Sequence, residues 1–575
     1  MVTNKYITKI ISALMALAVI LCLATSAFSK QLQAVYGNNA VTMEYETELF
    51  DTDQVMDIDI LMDEDDWNDM LENAISEEYY SCDVVVNGKT FYSVGIRPKG
   101  NTSLSSIVND PDTDRYSFKL EFDHYIEGQT CYGLDKLILN NNYADATNMK
   151  EAIVYDMYQY LGVDASLYNY AKISVNGDYR GVYLALEAVE DSFMLRNYGT
   201  EDGNLYKPEN MGVGGGMDGK DGDGWQMGEK PDGEDFPQKG EMPDGEDFPQ
   251  KGEMPDGEDF PQMGEAPNGE AADIKMGIMG GNGGADLNYT DDDLDSYSTI
   301  WDGEITDSDK KDHKRVVEAL KNISEGTDLE TYMDVDNILK YMAVHTFVVN
   351  DDSLSGTMAH NYYLYEYNGK LNILPWDYNL SFGGMSMGGK MGGQSLGATS
   401  VINDAIDMPF SITDFFDALL ENEEYLEQYH GYLNELVEKY VNGGEFEKTY
   451  ERIRSQIDDL VGNDPTAFYS YEEYEEAANM LIEVVQLRAK SVSGQLAGTI
   501  PSTDEGQQQD SSNLIDGSDI DLSVMGSFSG GGGGNEGQGK DNGFAGTPQP
   551  FDAGDVSPIS EEKADLQDSN QDSVK

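Results

Sequence analysis

Residues 341–384 read YMAVHTFVVNDDSLSGTMAHNYYLYEYNGKLNILPWDYNLSFGG and gather the side chains best suited to chemistry: Asp352, His360, Asn361, Trp376 and Asp377. Two carboxylates, a carboxamide, an imidazole and an indole meeting at one place need a reason, because buried charge without a partner is costly. A divalent cation holding phosphate oxygens supplies one. Mg²⁺ takes one or two carboxylates and completes its shell with substrate phosphates and water. In phosphoryl transfer of the kinase type, one aspartate holds the metal while another orients the attacking hydroxyl.

The local sequence has the means to bring these groups together. Runs 361–367 and 370–374 flank Asn368-Gly369, a two-residue hairpin signal. Pairing Tyr367 with Lys370 puts Asn361 opposite Trp376 and His360 opposite Asp377, with facing Cβ atoms about 5 Å apart. Upstream, Ile338, Leu339, Met342, Ala343 and Phe347 recur at helical spacing behind Asp334 as N-cap, which predicts a buried helix ending before Asn350. Asp352 follows in the loop.

At Asn350-x-Asp352-Ser353, His360-Asn361-Tyr362 and Pro375-Trp376-Asp377-x-x-x-x-Phe382-Gly383, with Arg97-Pro-Lys99-Gly100-Asn101-Thr102-Ser103 upstream, the chain resembles the CotH family. These are spore-coat proteins with an atypical protein-kinase-like fold. The resemblance spans roughly residues 48–498, apart from one insertion. It implies ATP-dependent phosphorylation of protein serines, with a serine-rich spore-coat or surface protein as acceptor. Asp352 matches the catalytic aspartate and Asp377 the metal aspartate for Mg²⁺ or Mn²⁺, helped by Asn361. Trp376 would stack on adenine, and Leu205-Tyr206-Lys207 matches the segment that makes Tyr206 a second stacking ring. Departures exist: the Walker, HRD and DFG motifs are absent, and Asn361 lies farther from Asp352 than its counterpart in ordinary kinases.

Further candidates come with two readings each. The turn at Gly100–Ser103, with Arg97 and Lys99, could approach phosphate through its amides, or be a turn whose arginine is tied to a neighbouring acid. Lys119, in the alternating run YSFKLEF, could serve phosphates as kinase strand lysines do; solvent exposure is the ordinary fate of lysine. Glu151, opening a helix over 148–161, is the candidate partner of a phosphate-binding lysine or a solvated first-turn acid. His360 either touches the site or is a structural histidine.

Thirty-six basic against 108 acidic residues give a net charge of −72, which repels nucleic acid. Lys5 and Lys9, an apolar run over 10–24 and small residues at 26–29 have the layout of a secretory signal over 1–29. The expected location is therefore secreted or at the cell or spore surface, and in a membrane only if that segment stays uncleaved. Residues 30–47 then read as a linker. Cleavage would leave Cys82 and Cys131, as one disulfide or as two buried thiols. With so few cysteines, metal chemistry must rest on oxygen.

Residues 209–288 read as a disordered acidic insertion: PDGEDFPQKGEM starts at Pro231 and recurs from Pro243 and Pro255, a 12-residue period poor in apolar surface. Glycine- and methionine-rich residues 383–397 occupy an activation-loop-like position, and 499–575 read as a disordered tail. Asn-Gly turns at 87–88, 176–177 and 368–369 predict antiparallel hairpins, and 415–419, 433–440, 446–460 and 471–496 predict helices. The fold class is α+β: an atypical protein-kinase-like fold with hairpins in the N-terminal half and a helical C-terminal lobe. A non-catalytic coat scaffold is the competing reading. An acid/base hydrolase built on Asp352 and Asp377 lacks any sugar- or peptide-specific signature.

Overall fold

All three Asn-Gly pairs adopt left-handed backbone at both positions, with φ 50° and 82° at Asn87-Gly88, 54° and 85° at Asn176-Gly177, and 55° and 85° at Asn368-Gly369. Such turns match the twist of the strands they join. The structure, a computed structural model, describes residues 40–208, 283–356, 358–385, 397–410 and 412–526. The expected signal segment, the 12-residue repeats, residues 386–396 and the residues beyond 526 lie outside the described residues.

The first two turns connect β2 to β3 and β6 to β7 within a closed seven-stranded barrel. Its strands are β1 (Met56–Leu61), β2 (Tyr80–Val86), β3 (Lys89–Lys99), β4 (Ser117–Glu121), β5 (Lys136–Asn140), β6 (Tyr168–Val175) and β7 (Asp178–Glu187), in the order β1-β2-β3-β4-β5-β7-β6. Every pairing is antiparallel except the seam, where β1 runs parallel to β6 with Met56 opposite Ala171. Closure was not expected from the hairpins, because a parallel seam needs a distant crossover and leaves no local turn signal. Ile58, Ile60, Val84, Ile96, Phe118, Leu120, Leu137 and Ile173 pack in the barrel's core cluster. Cys82 and Cys131 are free and buried, which decides the open alternative in favour of thiols.

The third turn joins β9 (Tyr362–Tyr367) and β10 (Lys370–Pro375), which with β8 (Asn204–Tyr206) form a second sheet in the order β10-β9-β8. Tyr367 pairs with Lys370 as expected. Around this sheet stand α1 (Lys150–Leu161), α2 (Lys310–Ser324) and α3 (Val335–Val348). The helical region continues with α4 (Glu423–Glu435), α5 (Glu445–Gly462) and α6 (Tyr471–Leu496). The expected helix at 433–440 is the end of α4 together with a π-helical turn at Leu436–Val441. Asp334 caps α3 by accepting from the amide of Asn337, and Gly162 closes α1 in left-handed backbone. Rings of Tyr158 on α1 and Tyr341 on α3 stack, and one core cluster runs through α1, α3, β9, β10 and the C-terminal helices. The α+β class is as expected.

Arg115 ties the barrel to this helical region. It donates to the carboxylate of Asp464 at 2.8 Å and to the main-chain oxygens of Asn141 and Val182, with both charged side chains 2% exposed. The packed structure also overruns the expected boundaries. Tyr45, placed in the linker by composition, is buried and donates to Glu187. Ala285 and Leu287, at the end of the expected insertion, are buried, as are Ile500 and Met525 beyond residue 498. Residues 499–526 lie along the helical region as a strap: Ile515 exchanges hydrogen bonds with Asn403, and the Ala146 amide donates to the Met525 carbonyl. Among the described residues, no helix is long and apolar enough to cross a membrane.

Candidate functional site

The β9–β10 ladder stops at the pair Tyr362–Pro375. Of the four residues that would extend it, Asn361 and Asp377 instead take left-handed backbone, with φ 57° and 61°. Non-glycine residues adopt this region at some cost, so surrounding contacts must impose it. The expected facing of His360 with Asp377 is thereby replaced. His360 Nε2 lies 2.6 Å from Asp352 Oδ1, and Asn361 Nδ2 donates to the main-chain oxygen and Oδ2 of Asp352 at 2.8 and 3.1 Å. Asn350 Nδ2 reaches the Asp377 carbonyl at 3.3 Å, which joins the two aspartate loops.

Behind them, His345 on α3 sets the loop spacing. Its Nδ1 lies 3.1 Å from the Tyr378 hydroxyl, and its Nε2 lies 2.8 Å from Ser355 Oγ and 3.2 Å from Ser353 Oγ. It is 2% exposed, and burial pulls its pKa down to about 3, so it stays neutral.

One cavity collects Lys99, the Gly100–Ser103 turn, Asn140, Glu151, Lys207, Asp352, His360, Asn361, Trp376 and Asp377 in its wall. Trp376 is 4% exposed, edge-on to Tyr363, with the Lys99 ammonium 5.7 Å from its ring centre. Lys99 donates to Asn140 Oδ1 at 3.3 Å, and Asn140 Nδ2 donates to Glu151 Oε2 at 2.9 Å. Burial raises the pKa of Asp377; Lys99 opposes that and the charge of Asp352 adds to it. Burial also raises Glu151, reinforced by the charge of Asp377. The wall therefore carries acidic groups that stand close together and whose charges are incompletely offset.

The family model for CotH kinase proteins matches residues 96–492. The chain belongs to that family. A search among curated proteins found no match. In this CotH protein the matched span begins inside β3 and ends inside α6, so it contains nearly the whole cavity wall, whereas β1, β2 and the 499–526 strap lie outside it.

Three residues singled out in the CotH sequence fall elsewhere. Arg97 is 5% exposed, forms an ion pair with Glu77 and lies over the Tyr79 ring, which is the tied-down arginine of the plainer reading. Lys119 binds Glu190 at 2.9 Å beside Lys136, outside the cavity wall, because Glu190, in the turn after β7, takes both ammoniums. Tyr206 has no exposed surface and sits edge-on to Trp301, which itself stacks on His313. The residues that cover Tyr206 come after the insertion and gave no signal near 206. Lys99, the Gly100–Ser103 turn, Asp352, His360, Asn361, Trp376 and Asp377 do meet.

Sequence reasoning missed Asn140, Lys207 and His345. The run Asn140-Asn141-Asn142 directly after a strand was the available sign for the first; a lysine following Tyr206 and a histidine inside an apolar helix gave weaker ones. Among the described residues, no cluster of three or more His, Cys, Asp or Glu side chains is arranged to hold a metal ion. A cation here would take two carboxylates at most and the rest of its shell from phosphate and water, a habit that fits Mg²⁺. Asn361 has its amide nitrogen engaged by Asp352, so its Oδ1 is the atom it would offer a cation.

Proposed function

We propose that this CotH protein is a protein-serine kinase of kinase-like fold, acting in secreted form or at the cell or spore surface. It would transfer the γ-phosphoryl group of ATP to a serine of a coat or surface protein. The observation that carries the reading is the convergence of Asp352 and Asp377, from separate loops, with Lys99 and Trp376 in one cavity wall. Family membership supports it and brings the spore-coat context.

In this reading Asp352 orients the acceptor hydroxyl and accepts its proton, and His360 and Asn361 hold its carboxylate in place. Asp377 holds Mg²⁺ or Mn²⁺, which when bound neutralises charge on the phosphates. The Lys99 ammonium faces the same phosphates, and Trp376 lies against adenine. The signal-like layout of residues 1–29 supports export, and the net charge of −72 argues against nucleic acid as partner. Radiolabelled ATP incubated with a serine-rich acceptor tests the reading. Transfer by the wild type and its loss in Asp377→Ala are expected; undiminished transfer by Asp377→Ala overturns the metal assignment, and no transfer by the wild type favours the coat scaffold.

A further inference from the structure

Glu151 is a buried acid of the cavity wall with one carboxylate oxygen left open. It is 3% exposed; its Oε2 accepts from Asn140 and the Tyr378 main-chain amide stands near the carboxylate, but its Oε1 is buried without a hydrogen bond of normal geometry among the described residues. A buried carboxylate oxygen left this way is expensive unless a ligand completes it. Lys99 bears on Glu151 through space and through Asn140, which accepts from the lysine on one side and donates to the glutamate on the other. The like charge of Asp377, in the same cavity wall, meanwhile bears on Glu151. Two carboxylates in the wall of one cavity, each bearing on the other and one with an open oxygen, form a seat for a positive ion.

We infer that Glu151 is a metal ligand, and that with Asp377 it forms a two-carboxylate seat for a divalent cation in the cavity wall. The inference rests on the proposed kinase reading and goes beyond it, since that reading gives the metal to Asp377 and assigns Glu151 no role. An all-oxygen pair selects a hard ion, Mg²⁺ or Mn²⁺, over zinc or copper. Asn140 then acts as the positioning residue, holding Oε2 so that Oε1 faces the ion.

The test is Mn²⁺ binding to the full chain, read from the loss of the free-ion paramagnetic resonance signal, with and without a non-hydrolysable ATP analogue. Wild type is expected to bind, and Glu151→Gln and Asp377→Asn each to weaken binding by at least about tenfold. Thermal melting supplies a second readout. Glu151→Gln should melt at or above the wild-type temperature without metal, because a buried group whose ionisation burial disfavours is gone, and should lose the upward shift that Mn²⁺ gives the wild type. If Glu151→Gln proves unfolded, Glu151→Asp serves in its place, with the same weakened binding expected from a carboxylate set back by one methylene. Undiminished Mn²⁺ binding by the folded glutamate variant, with loss in Asp377→Asn, overturns the inference and leaves the kinase reading standing. Absence of binding by the wild type under both conditions overturns the two together.

Discussion

Asn361 holds Asp352 twice, through its main-chain oxygen at 2.8 Å and its carboxylate at 3.1 Å. The amide thus orients the aspartate proposed to meet the acceptor hydroxyl. Asn361→Ala should lower the transfer rate and cost about 1.5–3 kcal/mol of stability, the usual worth of a hydrogen bond to a charged group. Asn361→Asp should be at least as damaging, because it sets a second charge against Asp352 even though it supplies a metal-binding oxygen. Initial rates at saturating ATP decide; activity retained by the aspartate would give Asn361 to the metal instead.

Trp376 and Tyr206 give opposite expectations for nucleotide binding. Trp376→Ala should weaken ATP binding by about 1–3 kcal/mol, the range for a base stacked on an aromatic ring. Tyr206→Phe should leave it unchanged, since that ring is enclosed by Trp301 away from the cavity wall. Calorimetric titration with the ATP analogue compares them.

His345 should make the fold acid-sensitive. Burial lowers its pKa from 6.5 to about 3, so the neutral imidazole contributes stability that is complete above pH 6.5. That contribution is lost as pH falls toward about 3, at up to about 1.4 kcal/mol per pH unit. His345→Gln should be less stable at neutral pH, and its stability should fall less steeply than that of the wild type across this window. Urea unfolding at a series of pH values measures both slopes, and equal slopes would remove the histidine from the account.

Arg115 and Asp464 join the barrel to the helical region with almost no exposure to water. Asp464→Ala would strand the guanidinium, and about 3–5 kcal/mol of stability should go with it. Because Arg115 also donates to the Asn141 carbonyl, next to Asn140 of the cavity wall, ATP affinity should weaken as well.

Local signals were legible wherever a turn or cap decides structure by itself: the three Asn-Gly pairs, the Asp334 cap and the Gly162 stop all fold as read. The meeting of Asp352, Asn361 and Asp377 followed from one such turn, yet its detail did not, because left-handed backbone at Asn361 and Asp377 redirects the side chains after the ladder ends. Lys119 shows the limit of analogy. Strand alternation placed it on a face but not which face looks into the cavity, and Lys99 and Lys207 are the lysines that reach it among the described residues. Tyr206 failed for a related reason, since Trp301, which covers it, arrives only after the insertion.

The seam between β1 and β6 has a consequence for how the chain is made. Leaving the ribosome, Met56–Leu61 can pair at once with β2, but its other edge stays open until Ala171 and its neighbours arrive. An edge strand kept waiting is a template for pairing with other copies, and contacts so distant in sequence form slowly. Trimming the gene to the matched span would remove β1 and β2 altogether, and its product should aggregate rather than bind nucleotide.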